Sequence, residues 1–206
     1  MRPQEKLKYT LDDYIELEKS SDEKFEYWDG NVFALAGVSD EHAQIQINLA
    51  TALTIEFRSK KKTCRVFPSD MRVKVPEYPP YRYPDLSALC GKVEFEKLKG
   101  LDVLTNPQLI VEILSDSTEA FDRGDKFTYY KSIESFREYL LIAQHLPHVT
   151  QYVGQVDDPW SYREINGLNE KLQIALLDCE INLTEIYSTV TFPDNTFPFQ
   201  YRESAE

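Results

Sequence analysis

The chain has 206 residues, of which 42% are hydrophobic and 13% aromatic. A chain of this length can bury a substantial core, and its aromatic content favours an ordered globular protein over an intrinsically disordered one. The formal net charge of -12 is opposite in sign to the electrostatic footprint of proteins that hold nucleic acid by nonspecific attraction.

The apolar stretches of the chain are strand-sized, and the N-terminal MRPQEKLKYT lacks the apolar segment of a signal peptide. We therefore expect a cytoplasmic protein with no membrane partner. Cys64, Cys90 and Cys179 are widely spaced and form no CxxC pattern. This favours reduced core thiols over a disulfide framework or a cysteine zinc site.

The first elements are a short helix and a hairpin. Thr10 and Asp13 have the spacing of a capping box, and the residues that follow them have apolar side chains at helical intervals. The next segment, KFEYWDGNVFALAG, places aromatic and branched residues on both sides of Asp29 and Gly30. This pair favours a tight turn, so the segment predicts two antiparallel strands.

A long helix is predicted from Ser39 onward. Its apolar residues recur every four positions and form one stripe over about five turns. They are Ile45, Leu49, Leu53 and Phe57. The basic run from Arg58 to Lys62 at the end of this helix has two interpretations, a surface for phosphates or a solvated helix end.

The rest of the chain alternates between strand and helix patterns. Strand composition marks CRVFPSDMRVKV, YPDLSALC and QLIVEIL, and we expect a crossover loop with a short helical piece between the last two. A helical region that Gly124 divides follows, and REYLLIA, HVTQYVG and WSYREI return to strand composition.

This order predicts an α/β (α+β) domain with a mixed central sheet flanked by helices. We expect one domain over residues 1–206, with an N-terminal helix and hairpin (1–38), a core (39–145) and C-terminal strands with a tail (146–206).

Glu112 interrupts the apolar run LIVEIL, where a carboxylate needs a partner because its burial is costly. One interpretation is a buried Glu satisfied by Arg, Tyr or backbone donors. The other involves Asp85, which begins the strand YPDLSALC. Two carboxylates brought together on neighbouring strands repel each other unless a divalent cation lies between them.

Pro84 and Asp85, then Glu112 in its VEIL strand, then FDRGDKFTYYKS occur in an order that resembles the PD-(D/E)XK nuclease superfamily. Within it the chain is similar to a bacterial branch of restriction endonucleases long catalogued as a domain of unknown function. The similarity covers most of residues 10 to 145. The resemblance implies a restriction-endonuclease-like sheet flanked by helices.

The resemblance also implies that Asp85, Glu112 and the backbone carbonyl of Ile113 bind Mg2+, with Mn2+ as a substitute. The superfamily places its lysine two residues after the strand glutamate, where this chain has Leu114. Lys126, in the D-R-G-x-K run, matches the substitute position on the following helix. Without the resemblance, Lys126 is equally well interpreted as an i, i+4 partner of Asp122 on a surface helix.

Three further residues match positions that recur in this branch: Glu26, His42 and Asp70. Glu26 or His42 would complete the pocket, although a helix-cap or core-edge role explains a lone histidine equally well. Asp70 is a weaker candidate, because a residue at a strand start or bulge explains it more simply.

The resemblance thus predicts a Mg2+-dependent endonuclease that cuts DNA through Asp85, Glu112 and Lys126. A homodimer is expected because cutting both strands needs two sites. The alternative is an inactive nuclease-fold domain that binds nucleic acid or protein, with Leu114 marking an abandoned active site.

Overall fold

The computed structural model describes residues 8–192, apart from residues 22, 29, 36, 77–80 and 156–158. The helical elements are α1 (Leu11–Ser20), α2 (Asp40–Ser59), α3 (Glu119–Phe121), a π-helical turn (Asp122–Lys126), α4 (Phe127–Tyr130), a 3-10 turn (Ala175–Leu177) and α5 (Leu183–Ile186). The strands are β1 (Phe25–Trp28), β2 (Asn31–Ala34), β3 (Cys64–Pro68), β4 (Arg72–Lys74), β5 (Tyr81–Arg82), β6 (Leu86–Cys90), β7 (Phe95–Leu98), β8 (Leu101–Leu104), β9 (Leu109–Leu114), β10 (Glu138–Ala143), β11 (His148–Gly154), β12 (Trp160–Asn166), β13 (Lys171–Ile174) and β14 (Cys179–Asn182). In this part of the chain, no helix has the length and apolar character needed to cross a bilayer.

The predicted N-terminal helix and hairpin are confirmed. The hydroxyl of Thr10 accepts a hydrogen bond from the backbone N–H of Asp13, whose carboxylate accepts one from the backbone N–H of Thr10. This reciprocal cap starts α1. Strands β1 and β2 pair antiparallel around Gly30, which has a φ of +75°; Asp29, the other turn residue, lies outside the described residues.

A mixed six-stranded sheet forms the centre of the molecule, as predicted. Its strand order is β12-β11-β10-β9-β6-β3, and within it only β9 and β10 are parallel. The helical segment of α3, the π-helical turn and α4 connects these two strands. Parallel neighbours need such a crossover.

One helical layer covers each face of the sheet. The stripe of α2 packs against Leu109, Val111 and Ile113, so the odd-numbered residues of β9 face that helix. The even-numbered Ile110 and Leu114 belong to the cluster around α4. Because side chains alternate along a strand, Glu112 points toward the layer of the crossover segment.

Two predictions about the strands are wrong in detail. The interval between β6 and β9 contains no helix; it forms the hairpin β7–β8, whose turn residues Lys99 and Gly100 both have positive φ. CRVFPSDMRVKV contains two strands in different sheets, because a turn after Pro68 redirects the chain. The strand β4 belongs to a second sheet, of order β5-β4-β8-β7.

The expectation of three reduced thiols is also wrong. Cys64 and Cys90 face each other in the register of β3 and β6, with Cα atoms 3.9 Å apart, and form a disulfide. Sequence spacing did not reveal this pairing because the two strands are brought together only by the sheet. Cys179 remains a free, buried thiol, as expected.

Candidate active site

Asp85 and Glu112 are brought together by the register of β6 and β9. Leu86 pairs with Val111, which places Asp85 beside the next residues of β9. The Asp85 Oδ2 atom accepts a hydrogen bond of 2.7 Å from the backbone N–H of Ile113. The carboxylate of Asp85 is therefore fixed next to the residue that follows Glu112.

The first turns of α2 hold Asp85 from the other side. The His42 Nε2 atom lies 2.9 Å from Asp85 Oδ1, and the side-chain amide of Gln46 donates a 2.7 Å hydrogen bond to the Asp85 carbonyl. The cap of α2 orients this turn, because the Ser39 hydroxyl accepts from the backbone N–H of His42. Sequence reasoning missed Gln46, although its i, i+4 spacing from His42 placed both on one helix face.

Glu112 is 2% exposed and its partners come from the crossover segment. Its Oε1 atom accepts a 2.7 Å hydrogen bond from the Tyr130 hydroxyl and lies 2.9 Å from the Lys126 ammonium. Burial raises the pKa of Glu112 well above its ordinary value, and the charges of Asp122 and Asp85 act in the same direction against Lys126. The Glu112 carboxyl group is thus almost fully shielded from water and lies among several charged side chains.

Lys126 forms a second ion pair with Asp122, whose Oδ1 atom lies 3.0 Å from its Nζ atom. This is the i, i+4 pair considered from the sequence, but both residues are buried, so the helix face that carries them is not on the surface. Burial alone would lower the pKa of Lys126, but the carboxylates of Glu112, Asp122, Glu26 and Asp85 outweigh it and raise that pKa. The lysine therefore stays charged.

Leu114 occupies the strand position where the superfamily has its lysine. Its side chain is buried in the cluster that also contains Phe136 and Tyr139. This apolar environment suits a leucine. The ammonium that contacts Glu112 belongs instead to Lys126 of the π-helical turn. Turns of this kind occur frequently at functional sites.

Glu26 lies at the border of the same group. Its Oε2 atom accepts a 2.7 Å hydrogen bond from the guanidinium of Arg82, a fully buried residue that sequence reasoning did not select. The other oxygen, Oε1, is buried and has no hydrogen-bond partner among the described residues. The charge of Glu26 contributes to the raised pKa values of Lys126 and Tyr130.

Asp70 lies apart from this group of carboxylates. Its side chain is 76% exposed and forms an ion pair with Lys24. The basic run at the end of α2 is also distant, since the helix is about 30 Å long by its rise per residue. Lys60 and Lys62 of that run bind the backbone carbonyl of Asp178.

The carboxylates suit a hard divalent cation by chemistry and by charge. When all are ionised, Glu26, Asp85, Glu112 and Asp122 exceed the cations Lys126 and Arg82 by two negative charges. Mg2+ prefers oxygen ligands and is commonly bound by one or two carboxylates. No group of three or more His, Cys, Asp or Glu side chains with metal-binding geometry occurs among the described residues. Asp85 and Glu112 supply carboxylate oxygens, the donor type that Mg2+ prefers. Glu26 Oε1 is a further buried acceptor that has no hydrogen-bond partner among the described residues.

Comparison with solved structures supports the fold. The chain is similar to the crystal structure of a putative nuclease belonging to DUF820 from Anabaena variabilis ATCC 29413, with a TM-score of 0.64 and 16% sequence identity. The match covers 81% of this chain and 91% of that chain.

Two curated proteins of Synechocystis sp. (strain ATCC 27184 / PCC 6803 / Kazusa) are related in sequence. The uncharacterized protein sll1609 is 33% identical over 82% of this chain and 93% of its own length. The uncharacterized protein slr1290 is 28% identical over 90% of this chain and 94% of its own length. The family model described as Uma2, putative restriction endonuclease, matches residues 11–184, and the chain therefore belongs to that family.

Proposed function

We propose that this protein is a Mg2+-dependent endonuclease that hydrolyses phosphodiester bonds in DNA, with Mn2+ as a substitute. The observation that carries the proposal is that Asp85, directly before β6, bonds the backbone of Ile113 beside Glu112 of β9, and that Glu112 pairs with the buried ammonium of Lys126. Membership in a family of restriction endonucleases supports the reaction class.

Asp85 and Glu112 would hold the cation, with the Ile113 carbonyl as a third oxygen donor. When bound, the cation lowers the pKa of a water molecule and neutralises charge that builds up on the scissile phosphate. His42 and Gln46 fix Asp85 from α2, so its carboxylate is oriented before any substrate arrives. Preorganisation of this kind avoids reorganisation during the reaction.

Lys126 would act as a fixed positive charge. Because neighbouring carboxylates raise its pKa, it remains an ammonium at neutral pH and is unsuited to accepting a proton as a base. From its position beside Glu112 it can orient a water molecule or stabilise the charge of the transition state. Glu26 is a further candidate acceptor, held by Arg82.

The overall charge of -12 opposes the approach of DNA, so binding must rely on local features of the surface. A homodimer would supply two sites for the two strands of a duplex. Sedimentation equilibrium with and without a short duplex tests the dimer, and a monomer in both conditions would contradict it.

Cleavage of plasmid and linear DNA in Mg2+ and in Mn2+ tests the proposed activity. Asp85→Asn and Glu112→Gln should each reduce the cleavage rate at least a hundredfold, because each removes a charged cation ligand. Asp102→Asn is the matched control, because this carboxylate pairs with Lys97 on the surface of the hairpin β7–β8. Equal Mg2+-dependent rates for all three variants and the wild type would refute the assignment.

The second candidate function is a binding module that has lost catalysis. The observation that favours it is the buried leucine at position 114, where the superfamily pattern has a lysine. Calorimetric titration with Mn2+ separates the two functions. A binding module without metal chemistry would take up no Mn2+ at Asp85 and Glu112. The titration curves of the wild type and Asp85→Asn would then be the same.

A further inference from the structure

We propose that Asp122 is a positioning residue that retains Lys126 beside the site when the Glu112 carboxylate engages a divalent cation. This inference rests on the proposed function. It adds a role for a carboxylate that is itself no ligand of the cation.

The Lys126 ammonium lies between two carboxylates. Its Nζ atom is 2.9 Å from Glu112 Oε1 and 3.0 Å from Asp122 Oδ1. The ammonium therefore competes with any divalent cation for the Glu112 carboxylate. A divalent cation bound by Glu112 would repel the ammonium, and that contact would weaken.

Lys126 cannot escape this repulsion by moving into water. Its side chain is 9% exposed, and an ammonium left unpaired in such surroundings is costly. Asp122 already contacts the same ammonium, so the lysine keeps a partner without a change of position. The pair at Asp122 thus makes the contact at Glu112 dispensable.

The structure also holds Asp122 firmly. The Tyr139 hydroxyl, from β10, donates a 2.9 Å hydrogen bond to the Asp122 carbonyl, and the Asp122 side chain is 3% exposed. The π-helical turn presents Asp122 and Lys126 together on its buried side, whereas Asp125 of the same turn is exposed. The other carboxylates have different anchors: Arg82 binds Glu26, and His42 contacts Asp85.

The consequence is a specific dependence of cation affinity on Asp122. In Asp122→Asn, Glu112 becomes the remaining carboxylate at hydrogen-bond distance from Lys126, so the lysine competes more strongly with the cation. In Lys126→Met the competitor is absent, and Asp122 then has no lysine to retain. The effect of Asp122 should therefore exist only when Lys126 is present.

Calorimetric titration of the metal-free full chain with Mn2+ tests this dependence. Asp122→Asn should weaken Mn2+ binding about tenfold, in the range expected when an outer partner of a metal ligand is lost. Lys126→Met should bind Mn2+ at least as tightly as the wild type. The double variant should match Lys126→Met within about twofold, because residues in one network are not additive. Asp125→Asn, which removes the same charge from the exposed side of the turn, should bind like the wild type.

Three outcomes overturn the inference. The first is an equal loss of affinity from Asp122→Asn with and without Lys126, which would identify a direct ligand or a general field effect. The second is unchanged affinity in Asp122→Asn. The third is a wild type that takes up no Mn2+, which would refute the proposed metal chemistry as well. If Asp122→Asn fails to fold by thermal unfolding, Asp122→Ser provides the same test with the same expected values.

Discussion

Buried carboxylates outside the candidate site also have consequences, and Glu138 is the clearest case. It is fully buried at the start of β10, where the Gln151 side-chain amide donates to its Oε1 atom. Its Oε2 atom has no hydrogen-bond partner among the described residues. Burial raises the pKa of Glu138 to about 7, even though Gln151 and Arg163 lower it.

This pKa predicts that stability falls as the pH rises. The unfolded chain loses the Glu138 proton near the ordinary glutamate pKa of 4.5, whereas the folded chain keeps it until about pH 7. Between these values the folded state binds more protons, so the free energy of unfolding should decrease by up to about 3 kcal/mol. Glu138→Gln should remove this contribution.

Urea denaturation of both proteins between pH 4 and pH 8 measures the effect. The difference between the two curves isolates Glu138, since all other titrating groups are shared. Parallel curves for the wild type and Glu138→Gln would show that the carboxyl group does not titrate in this range.

Among the elements, the segment that carries Lys126 combines three short helical pieces. The sequence predicted a helical region weakened at Gly124, and this is confirmed. The sequence could not predict that the segment around Gly124 forms a π-helical turn. In this turn Asp122 and Lys126 are buried and Lys126 pairs with Glu112, a contact that depends on the tertiary structure. The hairpin β7–β8 was missed for a related reason: its alternation is faint, and its turn depends on positive φ at Lys99 and Gly100.

Gly124 gives a prediction about stability at this level. A Cβ atom added there meets nothing within 4 Å, and the residue does not have positive φ. Gly124→Ala should therefore stabilise the protein by about 0.5 to 1 kcal/mol, because alanine restricts the unfolded chain. The matched control is Gly100→Ala, which should destabilise it, since Gly100 has a φ of +94°.

Differential scanning calorimetry compares the two variants. Gly124→Ala should raise the Tm by about 1 to 4 °C for a chain of this size. A lower Tm in Gly124→Ala would mean that the π-helical turn requires glycine for a reason other than space.

For the molecule as a whole, sequence reasoning predicted the mixed sheet and its helical layers because apolar periodicity marks them directly. It selected Asp85, Glu112, Lys126, His42 and Glu26 through motif order. It did not find Gln46 or Arg82, whose partners lie 39 and 56 residues away, or the pairing of Cys64 with Cys90. These contacts depend on strand register and helix docking, which a single sequence does not specify.

The disulfide acts on global unfolding. It closes a loop with a sequence separation of 26 residues, which should restrict the unfolded chain by about 3.5 kcal/mol in the chain-entropy description. Addition of reductant should therefore lower the Tm of the wild type. The Cys64→Ser/Cys90→Ser double variant is the control, and its Tm should not respond to reductant. A wild-type Tm that is insensitive to reductant would contradict the expected contribution.

The residues that anchor Asp85 and those that anchor Glu112 come from opposite sides of the central sheet. His42 and Gln46 reach Asp85 from α2, whereas Tyr130 and Lys126 reach Glu112 from the crossover segment. The acidic pair is therefore complete only after both layers have docked. A nascent or half-unfolded chain carries these carboxylates without their alignment, so any hydrolytic capacity would arise last, together with the finished tertiary structure.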